Sequence, residues 1–202
     1  MARQFTNIAF TPGVKKAQTR YGSREIYDQF AKRGISADTL TAKETEFIAA
    51  RDSFYMGTVN SNGWPYIQFR GGLKGFLKVL DDQTLGFVDF QGNLQYISVG
   101  NLSESDRVFL FLMDYAHRRR LKIWGRAQVI DNDPQLLNQL ADPNYQAELA
   151  RVFIIKVEAF DWNCPQHIPI RYSEEEFAQM KAPLEARIQE LEKQLAQLSP
   201  SN

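Results

Sequence analysis

Cysteine and histidine are nearly missing from this chain of 202 residues: one Cys, Cys164, and two His, His117 and His167. A lone thiol excludes an internal disulfide framework and fits a reducing compartment. Three soft ligands so spaced give no basis for a zinc site, so no metal is expected. No run approaches the roughly 18 apolar residues of a spanning helix, and the opening MARQFTNIAFTPG has no apolar signal-peptide core. Charge of one sign is also lacking. Lys+Arg equals Asp+Glu at 24 each, which removes any global pull toward nucleic acid or an anionic membrane. Neither an internal repeat nor a low-complexity segment is visible. The expectation is a cytoplasmic protein with no membrane and no nucleic-acid partner.

What is present is aromatic and β-rich. Fourteen Phe and eight Tyr favour strands, and the chain is long enough for a real core. Residues 1–24 are basic, with no acidic residue before Glu25, and read as a solvated arm that packs on its own or a neighbouring subunit. Ser23-Arg24-Glu25 through Lys32 reads as a helix stopping at Gly34. A clearer helix follows, with Thr41 as N-cap, Glu44 three residues on, and Phe47, Ile48 and Ala50 on one face.

From Ser53 the period becomes two. Ser53 to Val59 and Pro65 to Arg70 flank Asn60-Ser61-Asn62-Gly63, a hairpin signal. A second hairpin joins Phe76–Leu80 to Thr84–Phe90 across Asp81-Asp82-Gln83. Strands over 107–113 and 120–130, a helix over Pro134–Leu140 and a strand over Val152–Phe160 complete a mainly β pattern with flanking helices. Hairpin connections and little α/β alternation predict an antiparallel Greek-key barrel. Pro169 ends it. Ser173-Glu174-Glu175-Glu176 then caps a last helix carrying Ile188, Leu191, Leu195 and Leu198, too short for an independent coiled coil. That helix is expected to dock on the barrel or on a partner. Three segments result: an arm and helix over 1–40, a barrel over 41–172 and a C-terminal helix over 173–202.

The chemistry-bearing constellation is an anion site. The apolar run Leu85–Phe90 leads into Gln91-Gly92-Asn93, read here as a helix start whose free N–H groups suit a phosphate. Extending the second hairpin puts residue 74 opposite 89 or 90. Lys74, Phe76 and Lys78 then share a face, and Lys74 and Lys78 lie roughly 13 Å apart along the strand, too far for one phosphate. This register favours Lys74, with Arg70 entering from the preceding strand. Gly71, Gly72 and Gly75 would let a planar ligand approach the backbone. Strand alternation puts Arg118 and Arg120 on one face and Arg119 on the other. A guanidinium there could stabilise charge developing on a ligand, and no aromatic platform adjoins the triplet to favour nucleic acid. Cys164 reads as a small apolar residue, and His117 as solvated.

Four segments together resemble the pyridoxamine 5'-phosphate oxidase-related flavoproteins, the FMN-binding split barrels: FYMGTVNSNGWPYIQFRGGL, GFLKVLDDQTLGFVDFQGNLQYISVGNL, RVFLFLMDYAHRRRLKIWGRAQVI and FDWNCPQHIPIR. They span roughly residues 41–172. The resemblance implies a split β-barrel with FMN at a homodimer interface. It puts Arg70, Lys78 and Asn93 to Gln95 at the phosphate, favouring Lys78 where register favours Lys74. It also puts Arg120 facing the flavin, with Trp162 and Arg171 near it. The basic pair of the family is Leu94-Gln95 here, so phosphate binding must lean on backbone N–H groups, Asn93, Gln95 and other cations. The Arg- and His-bearing motif that recognises vitamin B6 phosphate is not reproduced after Phe160. The implied activity is therefore an FMN-dependent oxidoreductase acting on another small molecule, the flavin carrying the hydride or electrons. The alternatives are a flavin- or haem-binding module for storage or sensing, with His117 or His167 as haem ligand, and a small nucleic-acid-binding barrel.

Overall fold

The computed structural model describes residues 4–32, 39–162 and 165–198. Period-two patterning produces seven antiparallel strands: β1 Ser53–Val59, β2 Pro65–Gly71, β3 Lys78–Asp81, β4 Thr84–Phe90, β5 Arg107–Asp114, β6 Arg119–Ile130 and β7 Leu149–Trp162. Their order is β2-β1-β5-β6-β7-β4-β3, a mostly antiparallel sheet of the split-barrel type. Among the described residues seven helices accompany them: α1 Gln4–Ala9, α2 Pro12–Arg20, α3 Arg24–Lys32, α4 Ala42–Ala49, α5 Ile97–Glu104, α6 Pro134–Leu140 and α7 Glu174–Leu198.

Two compact units divide the chain. The described residues up to 114 and from 119 to 162 form one; 115–118 and the described residues from 165 onward form the other. In the first, side-chain alternation sends Phe54 and Met56 of β1, Leu110 and Leu112 of β5, Leu121 and Ile123 of β6, and Phe153 and Ile155 of β7 into one core, all at most 1% exposed. Burying a Leu or Phe side chain is worth about 1.5–3 kcal/mol, so this interior dominates the stability. Opposite faces of β4 and β7 give Val88 and Val152 to a smaller cluster under Leu140 of α6.

Local signals set the boundaries. Gly63 turns the first hairpin at φ +82°, a value that favours glycine, and β1 and β2 pair from Val59–Pro65 to Ser53–Gly71. Glu44 reaches back to the backbone N–H of Thr41 at 3.1 Å and starts α4 as expected, although Ala50 is its exposed C-cap rather than part of the buried face. The basic arm carries more structure than its charge implied. Thr11 caps α2, and Phe5 of α1 is buried against Trp124, ring centroids 5.2 Å apart.

In the second unit, Ser173 and Glu176 cap α7 reciprocally, at 2.8 and 3.1 Å. Phe177, Met180, Leu184, Ile188, Leu191 and Leu195 are exposed along it. The side chain of Leu198 lies outside the described residues, as do Gly34 and Cys164. Among the described residues no helix is long and apolar enough to cross a membrane.

Candidate anion and cofactor site

At one end of the barrel the inward-facing rows change from apolar to charged. On β4 the row Leu85, Phe87 ends in Asp89; on β7 the row Ile155, Phe153 ends in Arg151, and Asp89 pairs directly with Arg151 across the two strands. Arg70 closes the inner row of β2. β2 and β4 are not neighbours in the sheet, so only the curl of the barrel brings Arg70 onto Asp89, with which it forms an ion pair. Its guanidinium also lies 5.0 Å from the Phe153 ring centroid and 5.7 Å from that of Phe87, a favourable arrangement for a weakly hydrated cation.

Arg151 is held more loosely. Its Nε is 3.8 Å from Asp89 and an Nη 3.6 Å from Asp131, both beyond good hydrogen-bond range, and its guanidinium sits 5.0 Å over the Tyr96 ring. The Nε atoms of Arg70 and Arg151 are buried without a hydrogen-bond partner. Such orphan donors are uncommon in folded proteins. Burial dominates the titration of both partners. It pushes the Asp89 carboxyl above its ordinary value despite the two arginines, and the Arg70 guanidinium below its own despite Asp89.

These groups border a cavity of about 530 Å³ whose lining includes Gln68, Tyr96 and Glu148 as well as the loop Gln91 to Leu94. The Gln91 N–H donates to the Glu148 carbonyl at 2.9 Å. With its amide nitrogen turned toward Glu148, its side chain donates to that carboxylate at 2.6 and 2.7 Å. Ser98 donates to Gln68 at 2.7 Å and Asn101 to Thr58 at 2.9 Å, pinning α5 to β2 and β1. A larger cavity of about 660 Å³ lies between α5, β6 and β7, where Arg126 is bonded to Asp106 at 2.9 Å and Glu158 at 2.5 Å.

The structure therefore brings Arg70, Gln91, Gly92 and Asn93 together and rearranges the rest. The helix does not begin at Gly92-Asn93. α5 starts at Ile97, and Asn93 instead accepts the Gln95 N–H at 3.2 Å in a turn. Leu94 and Tyr96 adopt φ values of +61° and +53°, which ends strand geometry before any helix can form. The register extended to Lys74 also fails. β3 begins only at Lys78, opposite Gly86, and 73–75 form a turn in which Gly75, φ +80°, donates to the Arg51 carbonyl at 3.0 Å. Lys74 thus lies off the strand. Lys78 is within 3.5 Å of the Gly75 carbonyl, while Phe76 is a core residue stacked on Phe54 at 5.5 Å. Gly71 closes β2 opposite Ser53, beside the Phe69 ring.

Arg118 and Arg120 do not share a strand face, because Arg118 lies in the turn before β6 at φ +53°. Arg120 pairs opposite Met113, with its guanidinium 5.8 Å from the Phe111 ring and its Nε without a partner. Arg171 lies 5.1 Å from the Tyr115 ring. Trp162 ends β7 eleven residues beyond Arg151, roughly 36 Å along the strand by the usual rise. There its Nε1 donates to Glu44 at 2.7 Å, its ring packs edge-on against Phe47 at 4.7 Å, and Lys43 sits 4.6 Å above it. Sequence reasoning missed Asp89 and Arg151. The alternation Arg151, Phe153, Ile155, Val157 was the available signal, since it puts an arginine on a buried row. Among the described residues no group of three or more His, Cys, Asp or Glu is placed to hold a metal.

Residues 40–163, more than half of the chain, match the family model of pyridoxamine 5'-phosphate oxidase. The chain belongs to this family. No curated protein matches the sequence. Among solved structures, a candidate pyridoxamine 5'-phosphate oxidase from Lactobacillus delbrueckii is 19% identical, with 63% of this chain and 97% of that chain covered and a TM-score of 0.50. An FMN-binding protein from Syntrophomonas wolfei is 15% identical over 73% of this chain and 96% of its own, TM-score 0.47. HutZ, the haem storage protein of Vibrio cholerae, is 14% identical over 61% and 94%, TM-score 0.42. At these identities the first likeness bears on fold alone.

Proposed function

We propose that this chain binds FMN and is an FMN-dependent oxidoreductase, a cytoplasmic homodimer acting on a small molecule other than pyridoxamine phosphate. One observation carries the reading: Arg70, 9% exposed and with an unpartnered Nε, borders a cavity that the Gln91–Leu94 loop helps to line. A buried cation with spare donor capacity is suited to an anionic ligand group, and family membership makes the phosphate of FMN the natural candidate. The residues present fit that group, even though Leu94-Gln95 stands where the resemblance implies a basic pair.

Bound flavin would supply hydride or electron transfer. The chain's own part would be positioning and charge. Arg70 would hold the phosphate, and Asn93 and the loop N–H groups would complete its donors. Dimerisation is supported by the outer face of β1 and β2, where Tyr55, Ile67 and Phe69 are 40%, 68% and 58% exposed. A contiguous apolar patch of this kind marks an interaction surface, and a second copy would cover it. Sedimentation of wild type and Ile67→Asp is expected to show a dimer and a monomer.

Spectroscopy of the purified protein tests the central claim. Flavin absorption with FMN released on denaturation is expected, and a Soret band would replace this reading with haem binding. Arg70→Ala should lose FMN far more readily than Lys43→Ala, whose side chain lies at the Trp162 end of β7. Equal retention would remove Arg70 from the site. Bleaching of the flavin by NADH or NADPH would identify a nicotinamide as electron donor for the reductive half-reaction.

A further inference from the structure

The cavity has a cation on the strand that faces its loop. Positions 94 and 95 are Leu and Gln, so the loop itself brings no cation. Across the cavity, β7 does. Arg151 follows the buried row Ile155, Phe153, pairs across the strands with Asp89, and presents a side chain only 15% exposed. Its carboxylate contacts are long, at 3.8 and 3.6 Å, and its Nε has no partner. The guanidinium also lies 5.0 Å from the ring of Tyr96, which holds the planar fork against the loop. Arg70 contacts Asp89 directly, whereas Arg151 keeps most of its donors uncommitted.

We infer that Arg151 is the second phosphate-binding cation of this chain, working with Arg70 to select phosphorylated over unphosphorylated flavin. This assignment rests on the FMN reading above. Two guanidiniums converging on one anion add geometric specificity as well as charge. Asp89, between them, keeps the two cations close in a poorly solvated site without saturating the outer one. The competing explanation is that Arg70, Asp89 and Arg151 only close the seam between β2 and β4. A seam would support every ligand alike and would be indifferent to a phosphate.

The test is the ratio of dissociation constants for riboflavin and FMN, measured by quenching of flavin fluorescence at fixed ionic strength. Wild type is expected to prefer FMN. In Arg151→Gln, FMN binding should weaken about tenfold or more, as expected for losing one charge-assisted contact, while riboflavin binding stays within about twofold. Arg151→Lys, which keeps the charge and loses the fork, should fall between, and it carries the test if Arg151→Gln does not fold. A preference for FMN that survives both substitutions would overturn the role of Arg151 and leave the flavin reading intact. Equal losses for both ligands would assign Arg151 to the seam. Failure of wild type to bind either flavin would sink the proposal together with the reading beneath it.

Discussion

A carboxylate of low exposure lies near each end of β7, Glu44 at 4% and Asp89 at 14%, and the two are treated in opposite ways. At the far end, Glu44 is 4% exposed and accepts hydrogen bonds from the Thr41 N–H, the Thr41 hydroxyl and Trp162 Nε1, at 3.1, 2.5 and 2.7 Å. Burial alone would raise its carboxyl, but these bonds outweigh burial and hold it below the ordinary value. At the near end, Asp89 faces two arginines yet is pushed up, because burial wins over their charge. The difference is one of hydrogen-bond completeness. Glu44 is matched donor for acceptor by groups fixed in a helix cap and a strand, so it locks α4 onto β7. The Asp89 cluster leaves two guanidinium Nε atoms without partners, an arrangement that contributes little to stability.

The largest effect should come from breaking the satisfied end. Glu44→Ala removes an acceptor bonded by three donors and orphans Trp162 Nε1, and should cost about 3–4 kcal/mol in urea unfolding. A loss below about 1 kcal/mol would erase the contrast. Gly63→Ala, remote from both clusters, forces a Cβ into φ +82° and should cost about 1 kcal/mol, calibrating an ordinary local defect. Asp89→Asn acts in two opposed directions at neutral pH, relieving a carboxylate that burial penalises and leaving Arg70 and Arg151 without their shared counter-charge, so its cost should fall below that of Glu44→Ala.

The pH dependences of the two ends should have opposite signs. Glu44, depressed in the fold, contributes in full above its unfolded value of about 4.3 and loses that contribution as pH falls through its lower folded value. Asp89, raised in the fold, contributes in full below its unfolded value of about 3.9 and loses it as pH rises through its higher folded value. On acidification, wild type should therefore lose its advantage over Glu44→Gln and gain relative to Asp89→Asn. Chemical denaturation of the three proteins from neutral pH to about pH 3.5 measures both slopes, and parallel curves would show that the clusters are electrostatically alike.

Much of the fold was legible because it rests on short-range rules. The Asn60–Gly63 hairpin, the Thr41–Glu44 start of α4, helix Pro134–Leu140 and the strand alternation all follow from residues within a few positions of one another. Legibility failed where a boundary depended on remote atoms. β3 stops short of Lys74 because Gly75 bonds to Arg51, and α5 starts late because Leu94 and Tyr96 take left-handed conformations. Helix α3 was legible, whereas α1 and α2 were hidden by charge, and α1 packs on the barrel through Phe5 against Trp124 and Lys122.

The candidate site shows the same division. From sequence alone came the strand carrying Arg70, the place of Gln91–Asn93 after β4 though not its loop conformation, the resemblance to FMN-binding split barrels and the missing cations at Leu94-Gln95. Periodicity and turn chemistry are local, and they determine which residues face inward. Only the tertiary structure decided which inward-facing charges meet. Arg70 reaches Asp89 because the sheet curls until β2 and β4 approach without pairing, and Arg151 joins them through β4–β7 register, sixty-two positions from Asp89 along the chain. Closure of a barrel is set by the packing of the whole interior, and no window of sequence contains that information.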